Sequence, residues 1–176
     1  MAVIEAIATT YLEADAASVT FSSLGSYEHL QLRISAKSAR STSYTNDDIK
    51  LNLNGDTGSN YSYHRMTGED TTEGATGSAS DSYIKVSSVQ SDAGLSGATN
   101  YGGLVVDIFD YADDGNKNTT VMGMSGLTEA PIGKNRVTFF MGLWNNTDDV
   151  ISIVLAPVNG DFIRGSEFSL FGLNSS

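Results

Sequence analysis

The stretch Asn54-Gly55-Asp56-Thr57-Gly58-Ser59-Asn60 packs side-chain oxygens densely between two alternating apolar runs. Such oxygens are what hard cations take as ligands. A calcium loop, however, needs about six to eight of them in a set spacing with a closing Glu. This stretch holds one carboxylate, Asp56, and no Glu; Asp47 and Asp48 upstream are the nearest further charge. Asn-Gly is also the dipeptide that tight hairpin turns favour, because both residues tolerate a left-handed backbone. The spacing therefore predicts a hairpin connection in preference to a cation site. Asp113 and Asp114 beside Gly115, and the run Asn145 to Val150, have the same character and give the same expectation of turns. No metal or other cofactor is expected.

Catalytic arrangements are harder to assemble. The histidines are His29 and His64, and neither lies in an H-x-x-x-H or G-x-S-x-G context. Nothing in the spacing selects a glycosidase pair among the 21 acidic residues. With no cysteine, thiolate nucleophiles, thiolate metal sites and disulfides are excluded. The expectation is a protein without enzymatic activity. Aromatic side chains offer a different chemistry, since their planes suit the apolar faces of sugar rings. Tyr61, Tyr63, His64 and Trp144 are the glycan-binding candidates, set against the plainer reading that aromatics within strands belong to a core.

The elements that must position these residues are strands. In "HLQLRISAKS", Leu30, Leu32, Ile34 and Ala36 alternate with Gln31, Arg33, Ser35 and Lys37, the period of a half-buried strand. Similar runs around Ile49 to Leu53, Tyr61 to Thr67, Ile84 to Val89, Tyr101 to Tyr111, Thr119 to Ser125, Arg136 to Trp144, Val150 to Pro157 and Glu167 to Leu173 follow, separated by Gly, Ser, Asn, Asp and Thr. No segment sustains a helical period. About ten strands in 176 residues predict one all-β domain, a jelly-roll-like antiparallel β-sandwich. It is expected over residues 19–176, behind an N-terminal segment or first strand over residues 1–18. Gly68 to Ser82 has no aliphatic side chain larger than Ala, so it is expected as a surface excursion, as are Ser91 to Asn100 and Gly126 to Asn135. In "RVTFFMGLW" both faces are largely apolar, Val137, Phe139, Met141 and Leu143 against Thr138, Phe140, Gly142 and Trp144. Such a strand is expected between layers or under a neighbouring subunit.

A formal charge of -11 repels phosphate backbones, so no nucleic-acid partner is expected. No window is apolar for the length a membrane span requires, and the N-terminal residues lack the basic start of a signal peptide, so no membrane association is expected.

The succession "SVTFSSLGSYEHLQLRISAKSARS", "NDDIKLNLNGDTGSNYSYHRMTG", "LVVDIFDYADDGNKNTTVMGMSG" and "GLWNNTDDVISIVLAPVNGDFIRGSEFSLFGL" resembles a group of bacteriophage virion structural proteins. The likeness runs from about Val19 to Leu173, and "NGDTGSNYSYH" and "GSEFSLFGL" are its most specific parts. The resemblance implies a jelly-roll module of the kind found as capsid decoration (cement) proteins and within longer tail or fibre proteins. It further implies a location on the outer capsid surface of the virion, the major capsid protein as partner, and a homotrimer. Few residues precede the sandwich, which favours the stand-alone decoration role. Val3, Ile4 and Ile7 are the capsid-docking candidates, with an ordinary first strand as the alternative. The runner-up function is a tail-associated receptor-binding module that grips a glycan.

Overall fold

In the computed structural model, residues 3–40, 45–92, 100–112, 115–129 and 133–174 are described. They form twelve strands: β1 (Ile4–Tyr11), β2 (Val19–Phe21), β3 (His29–Ser38), β4 (Asn46–Leu53), β5 (Tyr61–Glu69), β6 (Thr72–Asp81), β7 (Ile84–Ser91), β8 (Gly102–Phe109), β9 (Thr119–Glu129), β10 (Lys134–Trp144), β11 (Ile153–Pro157) and β12 (Glu167–Leu173). The fold is the all-β, mostly antiparallel sandwich that the alternation predicts. Asp113 and Asp114, and most of Ser91 to Asn100, lie outside the described residues.

One layer runs β1-β12-β3-β8-β9-β10-β5-β6 and the other β2-β11-β4-β7. At one corner they are continuous, because the end of β3 pairs in parallel with the end of β7 through Lys37↔Gln90 and Ser38↔Ser91. Only the β5–β6, β8–β9 and β9–β10 connections stay within a layer. Elsewhere the chain crosses from one layer to the other, so most sheet neighbours are distant in sequence.

The core lies between the layers. Leu30, Leu32 and Ile34 of β3, Leu104, Val106 and Ile108 of β8, and Phe140 and Trp144 of β10 face Ile49, Leu51 and Leu53 of β4, Ile84 and Val86 of β7, and Ile153 and Leu155 of β11. Gly142 shows how closely the layers meet: a Cβ built there would stand 2.5 Å from Ile84 Cγ2. A small residue is needed at that contact, which explains a glycine between Phe140 and Trp144 on the buried face.

Three sequence expectations are corrected. Gly126 to Asn135, expected as a surface excursion, is mostly strand: the end of β9 pairs with the start of β10 from Gly126↔Val137 to Glu129↔Lys134. Gly68 to Ser82 is mostly strand: the end of β5 turns at Asp70, whose φ is +49°, into β6, which pairs along β5 from Tyr61↔Asp81 to Glu69↔Thr72. β6 is an edge strand with nearly every side chain exposed, so it needs no apolar face and shows no alternation. The segment Asn54 to Asn60 is a turn, but not a hairpin, since its flanking strands do not pair. β4 lies between β7 and β11, and β5 between β6 and β10. The turn carries the chain between layers, with Asn54 at φ +54° and Gly55 at φ +66°.

Candidate interaction surface

The side chains singled out in the Asn54–Asn60 turn are already engaged. Asp56 accepts hydrogen bonds from Gly58 N at 2.8 Å, Asn60 Nδ2 at 2.9 Å and Trp144 Nε1 at 2.8 Å. The Trp144 bond, then that of Asn60, holds the Asp56 carboxyl below the usual carboxylate range against an opposing effect of burial, and the Gly58 amide adds a smaller lowering. Asn54 Oδ1 accepts from the backbone amides of Ile151 and Ser152, and Asn54 Nδ2 donates to Asp149 O. Asp47 and Asp48 do not join this turn. Asp47 is buried and accepts from Ser38 Oγ, Asn159 N and Asn159 Nδ2. Asp48 pairs with Arg65 at 2.7 Å and Lys85 at 3.3 Å. Burial works to raise the Asp48 pKa, but the bond and charge of Arg65, the Ser88 hydroxyl and the Lys85 charge together lower it. Among the described residues no three His, Asp or Glu side chains converge as a metal-ligand group.

The four glycan-binding candidates are not brought together. Tyr61 and Trp144 are each 1% exposed and stack with ring centroids 6.5 Å apart. The Tyr61 hydroxyl accepts from Leu53 N and donates to Leu53 O, which ties β5 to the end of β4. Burial raises the pKa of that phenol. Both rings are core residues whose polar tips have partners, so neither presents a face to a sugar. Tyr63 is half-buried and packs against the core, whereas His64 is exposed on the opposite face of β5.

Of the docking candidates, Ile4 and Ile7 lie on β1, which pairs with β12 from Ile4↔Leu173 to Tyr11↔Glu167, and Val3 immediately precedes it. Val3 (58% exposed) and Ile4 (45%) stand at the margin of the larger sheet, while Ile7 is half-buried and packs on the core.

Among the described residues, most of the exposed large apolar side chains stand on the outward face of β9, β10 and β5, beside β8. That face presents Val137, Phe139, Met141, Met122, Met124 and Met66, and of the five methionines four stand here. The register lines them up in rows across the strands. One row reads Arg33–Val105–Met124–Phe139–Met66–Ala75 from β3 to β6. The next, two residues along each strand, reads Gln31–Asp107–Met122–Met141–His64–Gly77. On the other side lies Ser35–Gly103–Gly126–Val137–Gly68–Glu73. Gly103 and Gly126 have open space where a Cβ would stand, and with Ser35 they floor a shallow trough of about 680 Å³ between Val105, Met124 and Val137 on one side and Arg33, Glu167 and Phe171 on the other. The apolar outward face of β10 is thus uncovered in the single chain, whereas Thr138, Phe140, Gly142 and Trp144 are buried.

Polar groups frame the patch. Arg33 lies over the Phe171 ring at 5.1 Å and donates to Gln31 Oε1, and Gln31 Nε2 donates to Asp107 Oδ1 at 2.8 Å. At the far end of β5 and β10, on the opposite face of the sheet, Glu69 accepts from Arg136 and pairs with Lys134 at 3.2 Å. The Arg136 hydrogen bond is the main reason its carboxyl titrates below the usual range. Sequence reasoning identified the apolar strand faces but not their assembly into one surface. The signal was there in part, because "VMGM" and "FFM" place large side chains on alternate positions of adjacent strands.

No family model and no curated protein matches the chain. Among solved structures it is similar to scytalido-glutamic peptidase with a peptide-based transition state analog and with a transition state analog inhibitor. Identity is 15% in both, with TM-scores of 0.26 and 0.25. The matches cover 92% of this chain and 65% and 66% of the peptidase chains, so it spans slightly less than two thirds of their length. Because these structures are of a peptidase, the expectation of a protein without enzymatic activity is corrected and not retained. A likeness at these TM-scores carries no argument for a particular chemistry in this chain.

Proposed function

We propose that the chain is a phage capsid decoration protein that sits on the outer surface of the virion and binds the major capsid protein. The observation that carries this reading is the placement of Val3 and Ile4, exposed at the start of an edge strand that β12 anchors along its length. Apolar side chains held in water on a preordered strand lose little conformational entropy when a partner covers them. A free strand edge also adds backbone hydrogen bonds to such a contact. An adhesive of this kind strengthens a shell because rupture of the lattice must also break the added contacts.

The glycan-binding reading gains no support from the structure, since Tyr61 and Trp144 are buried. The test is reconstitution: purified chain is added to capsids lacking it, and co-sedimentation and the temperature of shell rupture are measured. Saturable binding with a raised rupture temperature is expected. Val3→Asp with Ile4→Asp should weaken binding at least tenfold while leaving the circular dichroism spectrum unchanged. Failure to bind capsids at all would remove the reading, and unimpaired binding of the double variant would remove β1 as the docking edge.

A further inference from the structure

The outward face of the larger sheet has an internal pattern that says what covers it. Count outward from the line between β9 and β10: β9, β8 and β3 lie on one side, β10, β5 and β6 on the other. A two-fold axis along that line, lying in the plane above the face, would set β9 of one copy on β10 of the other, β8 on β5, and β3 on β6. Facing sheets pack about 10 Å apart and rotate by about 30°, so the superposition is approximate but the rows persist.

Across that axis the rows are self-complementary. In the central row Met124 meets the second copy's Phe139, and Val105 its Met66. In the next, Met122 meets Met141, and the Asp107 carboxylate meets the imidazole of His64, which can donate an N–H to it. In the trough row Gly126, with open space above it, meets Val137, a hole opposite a projection. At the rim Arg33 comes over β6, where Glu73 lies one row away, within reach of a long side chain. Every such contact occurs twice, as an isologous interface requires. A chain of charge -11 would be expected to repel its own copy, yet the Val105–Met124–Phe139–Met66 row carries no charge, Asp107 faces an N–H donor in His64, and Arg33 at the rim comes near Glu73.

We propose that this face is the interface of a two-fold homodimer, in place of the homotrimer that the resemblance implies. Six strands about 4.8 Å apart and three to four rows about 7 Å apart cover roughly 600 Å² per copy, or about 1,200 Å² in all, at the lower limit for a specific interface. An interface of this size is expected to dissociate on dilution. The apolar surface is methionine-rich, and flexible thioethers adapt to each other across an imperfect superposition. β12 and β1 extend past β3, away from the axis, so Val3 and Ile4 of both copies stay free in the dimer.

The experiment is sedimentation of the full chain from about 1 to about 200 μM. The expected result is a concentration-dependent species of twice the 18.6 kDa chain mass. Phe139→Glu should weaken association at least tenfold. Gly126→Glu, at a position with open space around it, should do the same with an unchanged circular dichroism spectrum, which separates loss of the interface from loss of the fold. Arg33→Glu should weaken it several-fold, and Glu73→Arg in the same chain should restore it. A monomer throughout the range, a trimer, or a dimer indifferent to both Phe139→Glu and Gly126→Glu would overturn the proposal. A chain that stays monomeric alone yet loses capsid binding through Phe139→Glu would assign the face to the capsid protein instead.

Discussion

The bond between the Trp144 indole and the Asp56 carboxylate can be measured by a double-mutant cycle of Asp56→Ala and Trp144→Phe. Asp56→Ala leaves the buried indole N–H without its acceptor, at a cost of about 1–3 kcal/mol. Trp144→Phe gives up the same bond and part of a fully buried ring that stacks on Tyr61, for about 2–4 kcal/mol. A hydrogen bond to a charged group contributes about 1.5–3 kcal/mol. Asp56 lies partly in water, so the coupling should fall near the lower end, about 1.5 kcal/mol. The assay is urea unfolding of the four proteins by tryptophan and tyrosine fluorescence and far-ultraviolet circular dichroism, with equal m-values required before midpoints are compared. The double variant should be less destabilised than the sum of the single ones by that coupling. Strict additivity, to within about 0.3 kcal/mol, would mean that the bond does not hold the turn, and would reopen Asp56 as a free ligand.

Four further outcomes follow from the same geometry. Tyr61→Phe strips both polar groups of Leu53 of their phenol partner and should cost about 1–3 kcal/mol, read as a melting shift of about 2–10 °C. Gly142→Ala should destabilise by about 1–3 kcal/mol because the new methyl meets Ile84, whereas Gly103→Ala, with open space above it, should change stability by less than about 1 kcal/mol; equal effects would contradict the packing described. Asp48, Asp56 and Glu69 all titrate lower in the folded chain than their ordinary values. Their contribution is therefore full above about pH 5 and is lost as pH falls through the folded values, so the melting temperature should drop steeply below about pH 4. Asp48→Asn should flatten that acid limb, and a limb unchanged by it would count against the Arg65 and Lys85 pairing. Adding calcium or a chelator should leave the melting temperature unchanged, because the Asp56 oxygens are already bonded to Gly58, Asn60 and Trp144.

The strands with one apolar face were legible in the sequence because period-2 alternation reports burial directly. Leu30, Leu32, Ile34 and Ala36 face the core as their spacing implies. β6 was not legible, since an edge strand of Thr, Gly, Ser and Ala exposes both faces and leaves no alternation to detect. The Asn54-Gly55 signal correctly marked a left-handed turn, but a turn's chemistry does not say which strands pair beyond it. Here the pairing is set by β10 and β7, far along the chain. For β10 the alternation separated two apolar faces without ranking them. The ranking depends on Ile84 of β7 seating on Gly142, a contact between segments nearly sixty residues apart, so the exposed Met and Phe surface emerged only from the fold. Tyr61 and Trp144 carry the same lesson, as their side chains suit a sugar platform and a core equally well until Leu53 and Asp56 are placed beside them.

The reading as a capsid decoration protein is tested most directly by counting copies of this chain per purified virion against the major capsid protein, by quantitative mass spectrometry. A number in the hundreds, comparable with the capsid protein, is the predicted result. A dozen copies or fewer would place the chain at the tail and contradict the account.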